Sequence, residues 1–162
     1  MSNLPRMLLE NACHHITARG NQKQKVFLEE VDCREYLERL KRYKKKFAFQ
    51  LYAFCLMPNH IHLLGQIDKG KDLSKFMHGV SLSYTAYFNR KYTKVGHLWQ
   101  GRFKNKVITK DQYLLDCINY IEVNPVRNTM VNTVSEYPWS SYRERVFGDG
   151  IDGVKMLDQL AV

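Results

Sequence analysis

The stretch Met57-Pro58-Asn59-His60-Ile61-His62-Leu63-Leu64 constrains this chain more than any other. Two imidazoles stand two residues apart, with an aliphatic residue between them and more aliphatics after them. In a β-strand residues i and i+2 project from the same face. His60 and His62 would therefore point together while Ile61 enters the core behind them. The preceding residues 47–57 are aromatic and aliphatic, with Gln50 the one strongly polar interruption. They read as a largely buried strand. Pro58-Asn59 makes a tight connection, and residues 60–67 return as an antiparallel neighbour. The His pair then sits at the start of the returning strand, near a sheet rim that is open on one side. Two imidazoles on a rigid strand form half of a metal site. The plainer reading is one surface histidine and one satisfied core histidine.

The other elements follow from their periodicity. Residues 12–19 alternate in part and stop at Gly20-Asn21, which reads as a first strand ending in a turn. Val26-Phe27-Leu28 reads as a short extended piece. Asp32 with Glu35 three residues later resembles a capping box, and Tyr36, Leu37, Leu40 and Tyr43 mark an apolar stripe, so a first helix is expected over about 32–46. Asp72 opens a second helix, whose stripe of Leu73, Phe76, Met77, Val80, Tyr84, Tyr87 and Phe88 continues to about Tyr92 and reads as core. Residues 98–108 alternate apolar and basic and predict an extended segment with exposed cations. A third helix is expected from about 110 to 124, capped by Thr109 with Gln112 and stopped by Pro125. Tyr137-Pro138-Trp139-Ser140-Ser141-Tyr142 reads as a packed turn leading to a short helix, and Gly148, Gly150 and Gly153 as a looser tail. Antiparallel strands with helices on one face make an α+β sandwich.

The third helix carries a second set of polar groups. Tyr113, Cys117, Tyr120 and Asn124 are spaced four, three and four, on one stripe beside the apolar stripe of Leu114, Ile118 and Ile121. Tyr120 and Asn124 are one turn apart. If this helix lies beside the hairpin, a phenol and an amide meet the two imidazoles. Taken alone, Tyr120 reads as an amphipathic boundary residue and Asn124 as a C-terminal cap.

Charge narrows the partner. The formal net charge is +9 over 162 residues, a length that favours one domain. Between Asp72 and Asp111 there is no acidic residue, yet the interval holds Lys75, Arg90, Lys91, Lys94, Arg102, Lys104, Lys106 and Lys110. Such a surface suits a polyanion, nucleic acid first and an anionic membrane surface second; the plainer reading is a merely solvated face. Arg19, Arg102, Lys104, Lys106 and Arg127 are candidates for phosphate contacts, and Asn21 and Trp99 for base contacts or loop shaping. The four cysteines, Cys13, Cys33, Cys55 and Cys117, fit no metal-ligand spacing and read as reduced thiols. With no secretory h-region at the N-terminus and no apolar run of membrane length, a cytoplasmic, nucleoid-associated protein is expected.

The residues also match a family. Thr17-Ala18-Arg19-Gly20-Asn21, the stretch from Phe54 through Leu64, Gly96-His97-Leu98-Trp99-Gln100-Gly101-Arg102-Phe103-Lys104 and Tyr120-Ile121-Glu122-Val123-Asn124-Pro125-Val126-Arg127 occur in order, followed by Tyr137-Pro138-Trp139-Ser140-Ser141-Tyr142. The chain resembles the single-tyrosine HUH (His–hydrophobic–His) transposases, IS200-like, and within them the group associated with repeated extragenic palindromes (REP). The match covers about residues 12–145; the tail 146–162 has none, and the whole of 1–162 is expected to form one domain. The resemblance implies a ferredoxin-like (RRM-like) palm with an antiparallel sheet. It implies cleavage and joining of single-stranded DNA through a 5′-phosphotyrosine. His60 and His62 match the metal pair, Tyr120 the nucleophile, and Asn124 a third ligand that other branches replace with Gln. A divalent ion, Mg²⁺ or Mn²⁺, would polarise the phosphate. The expected partner is single-stranded DNA carrying a palindromic hairpin, bound by a monomer or a homodimer. No general base emerges; Glu122 falls on a different helical face from Tyr120. The rival readings are a catalytically silent DNA- or RNA-binding protein on the same fold, and a metal-dependent hydrolase using the His pair.

Overall fold

A computed structural model describes residues 9–109 and 111–160. The elements run β1 (Ala12–Arg19), α1 (Glu30–Lys46), β2 (Gln50–Met57), β3 (His60–Ile67), α2 (Asp72–Tyr92), β4 (Lys104–Ile108), α3 (Asp111–Arg127) and α4 (Tyr142–Phe147). The strands form one antiparallel sheet in the order β2-β3-β1-β4. This β-α-β-β-α-β order with the first strand inside the sheet is the ferredoxin-like arrangement.

The His-bearing hairpin forms as its pattern dictates. Met57 pairs with His60, and Pro58-Asn59 turns the chain. Loop 20–27 locks that turn from outside: Gly20 N–H donates to Asn59 O, and Val26 and Phe27 N–H both donate to Pro58 O. Val26 and Phe27 are thus a buried clamp outside any strand, and Leu28 beside them is exposed. Gly20 is required here, since a Cβ would lie 2.3 Å from Gln24 O. The strand expected over 47–57 begins only at Gln50, because Ala48 takes a left-handed φ of 50° as the chain leaves α1.

Each face of the sheet has its own cover. Ile61, Leu63 and Gly65 face α1 and α2. The Phe49 ring lies over Gly65 and stacks on Phe76 of α2 at 4.3 Å between centroids. His60, His62 and Leu64 face the opposite side, where α3 packs on β2 and β3. Helices therefore cover both faces, one more than the single layer expected. The apolar stripe of α3 has no other place to be buried, because α1 and α2 already fill the first face.

The N-terminus of α1 lies two residues before the expected one. Asp32 is not the cap: its Oδ2 reaches back to accept from Leu28 and Glu29 N–H, both at 3.0 Å. Helix α3 does not stop at Pro125 but continues to Arg127. Proline removes one intrahelical donor. Asn128 then closes the last turn, with N–H and Nδ2 both donating to Asn124 O. Lys110 and the proposed start of α3 before Asp111 lie outside the described residues, as do residues 1–8.

β2 is an edge strand, yet its outer rim is covered. Leu56 N–H donates to Trp139 O, Ser141 N–H to Phe54 O, and Asp158 N–H to Leu51 O. Leu51 N–H in turn donates to Asp158 Oδ2. The tail is thus held along the strand instead of loose, with Met156 buried and Glu144 accepting from Met156 and Leu157 N–H. Pairing the rim removes a template for sheet-to-sheet aggregation.

Candidate active site

The site lies on the α3 face of the sheet. Because β1 and β3 pair with Thr17 opposite His62 and Arg19 opposite His60, the residues His15, Thr17 and Arg19 share a face with both histidines. Lys104 and Lys106 of β4 continue that face opposite Thr17 and His15. Across it, α3 brings Tyr120 and Asn124. The Tyr120 ring meets the rings of His62 and His15 edge-on, each at 6.0 Å between centroids. The His60 and His62 rings are 5.1 Å apart.

His60, His62, Tyr120 and Asn124 line one cleft of about 420 Å³ with Thr17, Arg19, Gln100, Arg102, Lys104 and Asn128. Tyr120 keeps 44% of its surface exposed, whereas His62 and Asn124 form the buried floor. A second cleft of about 880 Å³ adjoins it, sharing Ala18, Arg19, Gln100 and Arg102, and is walled by α2 and by loop 96–103 including Trp99 and Phe103. Asn21 donates its backbone N–H to Leu98 O and so anchors that loop, but neither it nor Lys106 lines the first cleft.

The histidines are held neutral. Burial lowers His62 to about 3, helped by His15, His60 and the Arg127 cation. Burial, then the Arg19 charge, lowers His60. Neutral imidazoles carry the lone pair that a metal ion needs. His60 Nδ1 faces Asn59 Oδ1 at 2.7 Å, which leaves its Nε2 as that lone pair. Asn124 is less free. Its Oδ1 accepts from Asn128 Nδ2 at 2.8 Å while its Nδ2 faces His62 Nε2 at 3.4 Å. His60 Nε2 is open as it stands, but His62 Nε2 faces the Asn124 amide, so holding a divalent cation there would require that amide to turn, which would also bring its oxygen to the site. Among the described residues no cluster of three or more His, Cys, Asp or Glu is placed to hold a metal ion.

Arg127 lies with its guanidinium 3.8 Å from the centroid of the Tyr120 ring and donates to Tyr120 O at 2.9 Å. Glu122 faces elsewhere: it accepts from Ser141 Oγ at 2.6 Å and pairs with Arg145 at 2.9 Å. Tyr84, Tyr87, Tyr92 and Tyr113 do not line this cleft. Tyr87 and Tyr92 donate to Asp32, and Tyr84 donates to Val26 O.

Residues 9–124, from the strand before the His pair to the amide of α3, match the family model described as Transposase IS200 like. The chain belongs to the IS200-like transposases. A Haemophilus influenzae chain, provisionally named a REP-associated tyrosine transposase, is 27% identical over 161 residues, covering 90% of this transposase and 88% of that chain. The REP-associated tyrosine transposase of Escherichia coli K12 is 26% identical over 104 residues, 64% of this transposase and 60% of the other. Among solved structures, a REP-associated tyrosine transposase bound to a REP hairpin superposes with a TM-score of 0.75 at 21% identity, over 99% of this chain and 96% of that one. That likeness establishes the fold. No helix of the transposase, among the described residues, is long and apolar enough to cross a membrane.

Sequence reasoning missed His15 and Asn128. His15 Nε2 lies 3.0 Å from His62 Nδ1, with the rings stacked at 25°. A signal existed: alternation from Ile16 places His15 with Thr17 and Arg19 on the face away from the core. The register of β1 on β3, which makes it a neighbour of His62, has no local signal. Asn128 lies four residues beyond Asn124 and was hidden by the expectation that Pro125 ends the helix.

Proposed function

We propose that this transposase cleaves and rejoins single-stranded DNA at hairpin-forming palindromes, through a transient bond to Tyr120, with Mg²⁺ or Mn²⁺ at the His pair. The observation that carries the reading is the shared cleft: His60 and His62 from one strand, Tyr120 from α3 and the cations Arg19, Arg102 and Lys104 from three further positions all line it. A hairpin partner is supported by the similar solved structure, a transposase bound to a REP hairpin. Such a substrate would keep the protein with cytoplasmic, nucleoid DNA. All these groups come from one chain, so a single copy suffices for the site.

The Tyr120 Oη attacks the phosphorus in line as its proton is lost. The bond to the DNA 3′ oxygen breaks, and that oxygen leaves as a hydroxyl after taking up a proton. The 5′-phosphotyrosine retains the ester, so a 3′-hydroxyl can reverse the step without ATP. The metal ion, when bound, would polarise the phosphate. His60 and His62 would hold it through Nε2, and Asn124 would join them with its amide turned. Arg127 orients the Tyr120 ring by its position above it. Arg19, Arg102 and Lys104 draw in the phosphates, and the adjoining cleft with Trp99 and Phe103 offers apolar walls to unpaired bases.

Incubation with a single-stranded oligonucleotide bearing a hairpin and Mg²⁺ or Mn²⁺ tests this. A covalent protein–DNA adduct is expected on a denaturing gel. Tyr120→Phe should abolish it with binding almost intact, and His60→Ala should remove metal-dependent cleavage. An adduct of normal yield in Tyr120→Phe would move the nucleophile elsewhere.

A further inference from the structure

We infer that His15 fixes the tautomer of His62, and so decides which ring nitrogen of His62 faces the cleft with a lone pair. The inference rests on the metal role proposed for His62. It is argued from a directed chain of hydrogen bonds that starts on α3. Asn128 Nδ2 donates to Asn124 Oδ1 at 2.8 Å and to Asn124 O at 2.9 Å. Both its contacts are acceptors, which sets the orientation of the Asn128 amide. Asn124 must then present its own NH₂ to His62 Nε2, 3.4 Å away. Two N–H groups cannot face each other, so His62 Nε2 is the unprotonated nitrogen. In a neutral imidazole the hydrogen is then on Nδ1.

That hydrogen needs an acceptor in a buried place, where an unpaired donor is costly. His15 Nε2, 3.0 Å from His62 Nδ1, is the acceptor. The sheet holds it there. His15 lies diagonally across from His62, one pair along from Thr17, within reach of a long side chain on the same face. The ring centroids are 5.3 Å apart and the planes differ by 25°, so the two nitrogens point at each other nearly in plane, as an N–H···N bond requires. Asn59 Oδ1 performs the same service for His60. The two histidines of the pair therefore each have a second residue behind them, one an amide and one an imidazole. Outer partners of this kind orient metal-binding histidines and fix their tautomer. His15 acts through His62 and is a positioning residue.

The test reads the ring directly, without catalysis. In ¹⁵N-labelled metal-free protein, long-range ¹H–¹⁵N correlation should give His62 as the Nδ1–H form. His15→Ala should convert His62 to a mixture of forms, while His15→Gln, which restores an oxygen acceptor, should keep Nδ1–H. Calorimetric titration with Mn²⁺ should find about 10- to 100-fold weaker uptake in His15→Ala than in wild type, with His15→Gln recovering most of it. A wild-type His62 already protonated on Nε2 would overturn the inference, as would unchanged spectra and Mn²⁺ affinity in His15→Ala. A wild type that takes up neither Mn²⁺ nor Mg²⁺ would sink the metal reading, and the wild-type spectrum would still decide the His15–His62 bond. Should His15→Ala fail to fold, the spectra of wild type and His15→Gln carry the decision.

Discussion

Arg127 covers one face of the Tyr120 ring with a cation and ties the same residue's carbonyl, so the phenol cannot swing freely about its χ angles. A cation over an aromatic face at a partly exposed site contributes about 1 kcal/mol. If that positioning is used in the attack, Arg127→Gln should slow adduct formation roughly fivefold and leave Mn²⁺ uptake as in wild type. A burst measurement of adduct against time checks both, and an unaltered rate would reduce Arg127 to a phosphate contact. Around this pair the residue-level reading was mostly legible. Spacing put Tyr120 and Asn124 on one helical stripe and His60 with His62 on one strand face. Asn124 departs from the simple picture, because a neighbour four residues on already occupies its oxygen. Nothing in the spacing of Asn124 announces that competition; it depends on the helix running past Pro125.

Helix α1 is tied to α2 by a buried carboxylate. Asp32 is fully buried and accepts from Lys91 and Tyr87, each at 2.8 Å, from Tyr92, and from two backbone N–H groups. Burial pushes its pKa up, but the Lys91, Tyr92, Tyr87 and Leu28 donors outweigh that and bring it down to about 2. A carboxyl held below its unfolded value stabilises the fold at pH above that value, and the contribution is lost as pH falls from about 4 through about 2. The lost stability should amount to about 2 kcal/mol. Denaturant titrations across that range check it, and in Asp32→Asn the acid-dependent part should vanish while stability at pH 7 falls by roughly 3 kcal/mol. A wild-type-like slope in that variant would assign the acid sensitivity to other carboxylates. Strand β3 carries a second test. A side chain at Gly65 would meet the Phe49 ring at 2.3 Å. Gly65→Val should therefore cost about 1–3 kcal/mol by overpacking, read as a lower unfolding midpoint. An unchanged midpoint would mean that the Phe49 ring and the Gln50 backbone carbonyl, 2.4 Å from that Cβ, both move aside at no cost.

On the scale of the molecule, the excess positive charge is not spread evenly over the fold. Arg19 at the end of β1, Arg102 in the loop before β4 and Lys104 in β4 converge on the cleft that also holds Tyr120. Each phosphate neutralised on a single strand contributes about −0.7 to the slope of log K against log salt. Arg102→Ala should thus weaken binding of a single-stranded oligonucleotide at low salt and make the slope shallower by about 0.7. A slope equal to that of wild type, measured by fluorescence anisotropy over a salt series, would take Arg102 off the DNA path. The covered edge of β2 belongs to this scale too. The tail, which looked loose from its glycines, is held by Asp158 more than a hundred residues away from its partner Leu51.

Local pattern by itself determined the elements and the chemistry they carry: alternation set the strand faces, helical spacing set the α3 stripe, and the ordered motifs pointed to the family. Those are properties of neighbours in the chain, where a period of two or of 3.6 decides which side chains travel together. Tertiary structure alone decided three things. It placed α3 on the face opposite α1 and α2, so that a phenol could meet the imidazoles. It aligned β1 on β3, making His15 a neighbour of His62 across 47 positions of sequence. It also let α3 run through Pro125 and so brought Asn128 onto Asn124. Each depends on which surfaces remained to be buried once the sheet had formed, and that choice is made by the whole chain at once.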